Sequence, residues 1–312
     1  MVDAESQTIK NLEKSGYRFV GKQKHSAVKI CEWTRKSLSQ GRVCFKQKFY
    51  GIQSHRCCQC TTSLFCLSRC LYCWRSFKAF LSKDIKESAI DEPSEIIDEM
   101  IKSQRLLLTG FKGNTKVDIK KWEEAKTPTN FAISLVGESI LYPKISEFLE
   151  ELKKRKASTF LLTKGLAPER IKALETEPTN FYISLCAPDK RTFTKVDRPI
   201  IPNAWKKQME SLELMKSFNC RKVIRLTLVK NLNLKDPEKY AKLILKAEPD
   251  FIEAKAYFHL GESQKRLSRD SMPSMEDIRQ FSQELAENVG YAIKDEDLAS
   301  RVVLLTKKSQ VF

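Results

Sequence analysis

The residues best suited to chemistry in this chain are cysteines, and most of them lie close together. Of the 10 cysteines among 312 residues, eight fall between positions 31 and 73. Because a cytosolic protein makes little use of disulfides, thiols at this density more often bind metal or carry out redox chemistry. The motif Cys-x3-Cys-x2-Cys is formed by Cys66, Cys70 and Cys73, the signature cysteines. Thiolates at this spacing can hold a [4Fe–4S] cluster and leave its fourth iron open to a small ligand.

A zinc site is the alternative interpretation of the same thiols. Structural zinc takes four protein ligands, usually as two pairs with a spacer, and Cys57, Cys58 or Cys60 could supply the fourth. Zinc requires neither the three-then-two spacing nor the aromatic Tyr72 before the last cysteine. The motif therefore favours an iron–sulfur cluster.

A second set of cysteines precedes the motif at a regular interval. Cys31, Cys44 and Cys57, the ladder cysteines, are 13 residues apart, with no strong helical pattern between them. Cysteines that serve only as small buried hydrophobic residues have no reason to recur in this way. Packing alone is therefore a poor explanation of the ladder.

The charge of the chain favours a polyanionic partner. Lys and Arg number 56 against 39 Asp and Glu, a net charge of +17. Residues 1–80 contain 15 basic and 4 acidic side chains, a net +11. Basic charge concentrated in this way attracts phosphates and releases their counterions. A nucleic acid is the favoured partner, and a basic surface without such a partner is the alternative.

The sequence contains no sign of a membrane or secretory segment. No apolar run approaches the ~20 residues of a membrane-spanning helix. Four of the first seven residues are polar, and two of these are acidic, which is not typical of a signal peptide. We therefore expect a cytoplasmic protein.

After about residue 60, short apolar strands alternate with amphipathic helices. The predicted strands are 131–135, 159–162, 181–185, 223–229, 251–257 and 302–305, with a further strand-like segment at 61–65. The predicted helices lie at 145–152, 168–174, 205–215, 240–245 and 275–285. This alternation is typical of parallel βα units. About six units predict an open, partial (β/α)6 TIM-like barrel, with a doubly wound sheet as the alternative.

Residues 1–59 do not follow the βα pattern. They contain strand-like segments at 18–20 and 28–30 but no strand–helix repeat. We expect residues 1–59 to form a basic, cysteine-rich extension folded against the barrel mouth. Residues 60–312 would then form the barrel.

The motif at 66–73 resembles the signature of radical S-adenosylmethionine (SAM) enzymes. In those enzymes the aromatic position, here Tyr72, lies near the adenine of SAM. The resemblance implies that the open iron of the cluster binds SAM. It also implies a partial barrel of the radical SAM type.

The upstream ladder narrows the resemblance to the archaeal-type tRNA 4-demethylwyosine synthases, over nearly the whole chain. The resemblance implies that Cys31, Cys44 and Cys57 hold a second [4Fe–4S] cluster. Lys46 matches the lysine proposed in that family to form a Schiff base with pyruvate. A lysine near cationic or desolvating groups can lose its proton and attack a ketone. The alternative is that Lys46, like Lys48, binds phosphate or is solvated.

Further matches predict contacts with SAM at the ends of strands. The segment 136–139 resembles the Gly-Glu-Pro motif of radical SAM enzymes, in which Gly137 allows a sharp turn and Glu138 pairs with the SAM ammonium. Ser139 stands where proline is usual. Thr163 and Ser184, at the ends of the next two strands, match further SAM contacts.

Other positions depart from the family pattern or have two interpretations. Lys164 stands where relatives more often carry asparagine, and Cys186 replaces an acidic residue. We expect Cys186 to be an ordinary buried thiol. Arg225 and Lys255 alternate with apolar residues, so they either bind a carboxylate or the target guanine inside the barrel, or form salt bridges with acids such as Glu253.

The resemblance implies a lyase-type radical SAM enzyme of wyosine biosynthesis. It would convert N1-methylguanosine beside the anticodon of tRNA-Phe, together with pyruvate, to 4-demethylwyosine. It would use two [4Fe–4S] clusters, SAM and an external electron donor, as a monomer. The alternatives are another radical SAM RNA-modifying enzyme, such as a methyltransferase, and a non-catalytic zinc-dependent RNA-binding protein.

Overall fold

The computed structural model of the protein describes residues 9–77 and 90–308. The strands are β1 (Tyr17–Val20), β2 (Ser26–Lys29), β3 (Cys57–Thr61), β4 (Asn130–Ile133), β5 (Ser158–Thr163), β6 (Asn180–Ser184), β7 (Arg221–Leu228), β8 (Phe251–Ala256), β9 (Tyr291–Asp297) and β10 (Val302–Lys307). The helices are α1 (Glu32–Ser39), α2 (Phe45–Tyr50), α3 (Pro93–Leu108), α4 (Ile119–Ala125), α5 (Ile145–Lys154), α6 (Pro168–Lys172), α7 (Lys190–Asp197), α8 (Ala204–Met215), α9 (Pro237–Ile244) and α10 (Met275–Val289). Among the described residues, no helix is both long enough and apolar enough to cross a bilayer.

The chain divides into two compact units. The first contains residues 9–66, 90–161 and 174–179, and the second contains residues 67–77, 162–173 and 180–308. In the first unit the strands follow the order β1 to β5. The pairs β1–β2 and β2–β3 are antiparallel, and β3–β4 and β4–β5 are parallel. The N-terminal hairpin therefore extends the edge of a parallel sheet.

Helix α3 and a small apolar cluster hold this hairpin in place. The helix begins with a proline, whose fixed φ suits the first helical position, and it packs on β1, β2 and β3. Its buried face includes Ile96, Ile97 and Met100. A cluster of buried residues joins the hairpin to the loops after β3 and β4, and it consists of Tyr17, Ala27, Leu64, Leu135 and Val136.

The second unit has a mixed sheet in the order β6-β7-β8-β10-β9. The pairs β6–β7 and β7–β8 are parallel, whereas β10 is antiparallel to both β8 and β9. Strand β10 is an apolar run buried on both faces, as expected of a covered central strand. Helix α10 packs on this end of the sheet, beginning at a capping box of Ser274 and Asp277 and ending at Gly290 with φ +70°.

The six predicted βα units are present, because each of β3 to β8 is followed by at least one helix. The prediction of a strand at 61–65 was wrong, because β3 ends at Thr61. The Thr61 hydroxyl donates to the carbonyls of Ser63 and Val136. The segment after Thr61 therefore turns instead of extending. Helices α1 and α2 lie between the ladder cysteines, where no strong helix was predicted. Helix α1 buries Thr34 and Ser37 beside a single leucine, so it has no apolar stripe.

Candidate active site

Each ladder cysteine lies at the start of an element of the first unit. Cys31 and Cys44 are the N-cap residues of α1 and α2, and Cys57 is the first residue of β3. None of the three is part of a disulfide among the described residues. Burial, and then the neighbouring Cys31 and Cys44, raise the pKa of the Cys57 thiol to about 12, whereas Lys46 opposes the shift. The fold thus brings the three predicted ligands and Lys46 into one electrostatic environment.

Lys46 lies against an aromatic ring that the sequence did not single out. Its Nζ is 4.2 Å from the centroid of the Phe160 ring on β5. The ring of Phe160 in turn lies 6.0 Å from that of Tyr50, centroid to centroid. A ring face stabilises an ammonium group and excludes water from one side of it. The amine is thus held in place beside the ladder thiols.

Residues 70–73 of the signature loop are held by hydrogen bonds within the second unit. The Leu71 N–H donates to the Val196 carbonyl at 2.9 Å, and the Cys73 N–H donates to the Cys70 carbonyl at 3.1 Å. The Arg266 guanidinium donates to the carbonyls of Leu71, at 3.1 Å, and of Cys73. These hydrogen bonds between protein groups fix the backbone of the loop.

Three arginines interact with the last signature cysteine. Burial raises the pKa of the Cys73 thiol, while Arg75, Arg266 and Arg69 oppose this effect. Positive charge favours the thiolate, which is the form that binds iron. The Arg75 guanidinium also lies 3.1 Å from the centroid of the Trp74 ring, and Trp74 remains 45% exposed. The charges around this loop suit an anionic cluster.

The cysteines do not form a site for a single metal ion. Within residues 9–77 and 90–308, no three His, Cys, Asp or Glu side chains converge closely enough to hold one. A [4Fe–4S] cluster binds one thiolate per iron, so its ligands are spread more widely than those of a mononuclear site. Both three-cysteine sets stay predictions, and their all-thiol composition fits such clusters.

The turn after β4 approaches the backbone of the segment after β3. Gly137 has φ +74°, and the Glu138 N–H donates to the Phe65 carbonyl at 2.7 Å. Glu138 is buried, and the Ser139 hydroxyl shares a hydrogen bond of 2.9 Å with that of Thr61. Ser139, in the usual proline position, therefore fastens the turn to the end of β3.

We expect Gly137→Ala to destabilise the protein strongly. The added Cβ would lie 2.1 Å from the Ser63 carbonyl oxygen and 2.8 Å from the Leu64 carbonyl carbon. The left-handed backbone alone costs an alanine about 1–2 kcal/mol. Thermal unfolding of the cluster-free protein measures the effect. Gly113→Ala is the control, because nothing lies within 4 Å of its added Cβ; equal losses in the two variants would contradict the steric argument.

In the second unit, one glutamine hydrogen-bonds to the ends of β5 and β6, the two strands that carry predicted SAM contacts. The Gln208 amide, on α8, donates to the carbonyls of Lys164 at 3.0 Å and Ser184 at 3.1 Å. The Thr163 hydroxyl accepts from the Gly165 N–H at 2.9 Å. The sequence analysis did not predict a role for Gln208, because a single glutamine on an amphipathic helix is not part of any recognisable motif.

A buried ion network surrounds Tyr72. The Lys164 Nζ donates to Asp197 Oδ1 at 2.6 Å and to the Tyr72 hydroxyl at 2.8 Å. The Tyr72 hydroxyl donates to the same Oδ1 at 2.8 Å. Burial lowers the pKa of Lys164, but Asp197, Cys186 and Cys70 outweigh it, so this pKa is raised. Cys186 is fully buried, as predicted.

The late strands carry a salt bridge rather than free cations. Arg225 Nε donates to Glu253 Oε2 at 2.7 Å, and the Tyr182 hydroxyl donates to Oε1 of the same carboxylate at 2.9 Å. The Lys255 ammonium donates to the Ser300 carbonyl. Arg225 was predicted either to bind a carboxylate or guanine inside the barrel or to form a salt bridge. The structure shows the salt bridge with Glu253.

Comparison with known proteins first defines a class. The Radical SAM superfamily model matches residues 61–244, more than half of the chain, and the model for Wyosine base formation matches residues 246–307. The protein is therefore a radical SAM enzyme. Enzymes of this class use SAM and an iron–sulfur cluster.

Individual relatives narrow the class to a family. The chain is 50% identical to the SAM-dependent tRNA 4-demethylwyosine synthase of Pyrococcus horikoshii over 299 residues, covering 94% of this chain and 86% of that protein. It is 37% identical to the human synthase TYW1, covering 95% of this chain and 40% of that protein. A solved structure of TYW1 with a lysine–pyruvate adduct bound has a TM-score of 0.87 at 33% identity, covering 97% and 96% of the two chains. The chain belongs to the tRNA 4-demethylwyosine synthase family.

The family assignment confirms two predictions. The radical SAM matches confirm the fold class, an open partial (β/α)6 barrel with a cysteine-rich N-terminal region. The family also confirms the predicted enzyme class. The individual site residues stay predictions, supported by the geometry described above.

Proposed function

We propose that this enzyme converts N1-methylguanosine in tRNA, with pyruvate, to 4-demethylwyosine. The family and the match to the wyosine model over residues 246–307 support this reaction. The observation that carries it is the position of Lys46 beside the ladder thiols and the Phe160 ring. An amine positioned there can condense with a keto acid once it has lost its proton.

Lys46 would hold pyruvate covalently. The neutral amine attacks the keto carbon of pyruvate, water leaves, and a Schiff base joins the two. A lysine–pyruvate adduct is present in the TYW1 structure that this chain resembles. Pyruvate bound to the open iron of a cluster at the ladder cysteines is the second route, and the two routes are compatible.

The cofactors would be two [4Fe–4S] clusters, one at each three-cysteine set. Cys66, Cys70 and Cys73 would hold a cluster that would supply the electron for cleavage of SAM, and this radical chemistry would act on the N1-methyl group. Gly137, Glu138, Ser139, Thr163 and Ser184 would hold SAM, with Tyr72 near its adenine. Residues 1–59 would form the extension that carries the second cluster, and residues 60–312 the barrel.

The remaining partners follow from the reaction. The net charge of +17 suits tRNA, and the target base must leave its stack to reach a buried site. We propose an external electron donor, a monomeric enzyme and a cytoplasmic location.

Anaerobic reconstitution followed by mass spectrometry of the tRNA nucleosides tests the proposal. We expect 4-demethylwyosine only when SAM, pyruvate, a reductant and tRNA carrying N1-methylguanosine are all present. A new methyl group formed without pyruvate would favour the methyltransferase alternative. A colourless protein that binds RNA but makes no 5′-deoxyadenosine would favour the zinc alternative.

A further inference from the structure

Lys164 and Asp197 form a buried ion pair, with 2.6 Å between Nζ and Oδ1. Asp197 is fully buried and Lys164 is 8% exposed. Lys164 and Tyr72 both donate to Oδ1 of the carboxylate, and its Oδ2 has no hydrogen-bond partner among the described residues. Desolvating two charges offsets most of their attraction, so such a pair adds little to stability.

The pair is placed next to the loop that carries the cluster ligands. Tyr72, which hydrogen-bonds to both members of the pair, lies between Cys70 and Cys73 in the motif. The Lys164 ammonium also interacts electrostatically with Cys70. All of these residues belong to the second unit. Arg75, Arg266 and Arg69 lie on the Cys73 side of the loop, whereas Lys164 and Asp197 act at Tyr72 and Cys70.

Charge near an iron–sulfur cluster changes its reduction potential. Reduction adds one negative charge to the cluster, and a neighbouring cation stabilises that charge while an anion destabilises it. Burial strengthens both effects, because the surrounding protein screens charge less than water does.

We propose that the Lys164–Asp197 pair sets the reduction potential of the cluster at the signature cysteines. Lys164 makes the cluster easier to reduce, Asp197 limits this effect, and the pair holds Tyr72 in position. The proposal rests on the cluster binding at the signature cysteines. It does not depend on the RNA product, so it can fail while the proposed function stands.

Redox titration of the holoenzyme, followed by electron paramagnetic resonance, tests the proposal. The signal that changes when SAM is added identifies the signature-loop cluster. We expect Lys164→Gln to shift its reduction equilibrium about tenfold toward the oxidised form, which is 59 mV for one electron. We expect Asp197→Asn to shift it in the opposite direction, and the double variant to lie between the two.

The control variant removes a charge elsewhere in the second unit. Lys207 forms an exposed pair with Glu169, N to O 3.5 Å, and Lys207→Gln should leave the potential unchanged. Shifts of the same sign in Lys164→Gln and Asp197→Asn, or no shift in either, would overturn the proposal. So would loss of iron loading and of thermal stability in both variants, because the pair would then have a structural role only.

Discussion

Cys70→Ala abolishes cleavage of SAM, whereas Cys44→Ala still forms 5′-deoxyadenosine but yields no tricyclic base. This is the result we expect from a division of roles between the two cysteine sets. Under the proposed function, only the cluster at the signature cysteines would pass an electron to SAM. Cys44 lies with Lys46 in the N-terminal part, where pyruvate would bind. Anaerobic assays that quantify 5′-deoxyadenosine and the modified nucleoside separately measure the two effects.

Iron analysis supplies the control for this experiment. Changing all three signature cysteines to Ala should remove about half of the iron and sulfide, and changing all three ladder cysteines should do the same. Full iron content in the ladder variant would show that the second cluster does not exist. Equal loss of SAM cleavage in Cys70→Ala and Cys44→Ala, with folding intact, would contradict the division of roles.

The βα pattern was predictable because it depends on local regularities. In strands such as β7 and β8, apolar residues alternate with polar or charged ones, and helices such as α5 bury Phe148, Leu149 and Leu152 at helical spacing. Strand β9 was missed because its sequence, Tyr-Ala-Ile-Lys-Asp-Glu-Asp, is that of a charged edge strand. The cysteine sets were found because their spacing is visible in the chain itself.

The neighbours of the predicted site residues could not be found in this way. Asp197 ends α7, more than 100 residues after Tyr72, and nothing in the sequence pairs them. Phe160 is one of several apolar residues on β5, and only the fold places its ring under Lys46. Interactions of this kind depend on the alignment of strands that are distant in sequence.

Lys46→Arg should reduce formation of the tricyclic base by at least about a hundredfold, the scale of losing a positioned reactant. Arginine keeps the positive charge, but it does not deprotonate and therefore does not form the imine. The Phe160 ring accepts a guanidinium as well as an ammonium group, so we expect the fold and iron content to be retained. SAM cleavage and tRNA affinity should also stay close to wild type.

Lys48→Arg is the matched control, because Lys48 lies in the same helix α2, two residues further on, and is exposed. Borohydride added with pyruvate should reduce the imine and attach pyruvate's carbons irreversibly to Lys46, which peptide mass spectrometry locates. Label on Lys48, or product at an ordinary rate from Lys46→Arg, would contradict the assignment. If Lys46 bound phosphate instead, its replacement by Gln would weaken tRNA binding and lower the salt dependence by about one counterion. An unchanged salt dependence in Lys46→Gln, together with lost product, would leave the covalent role as the explanation.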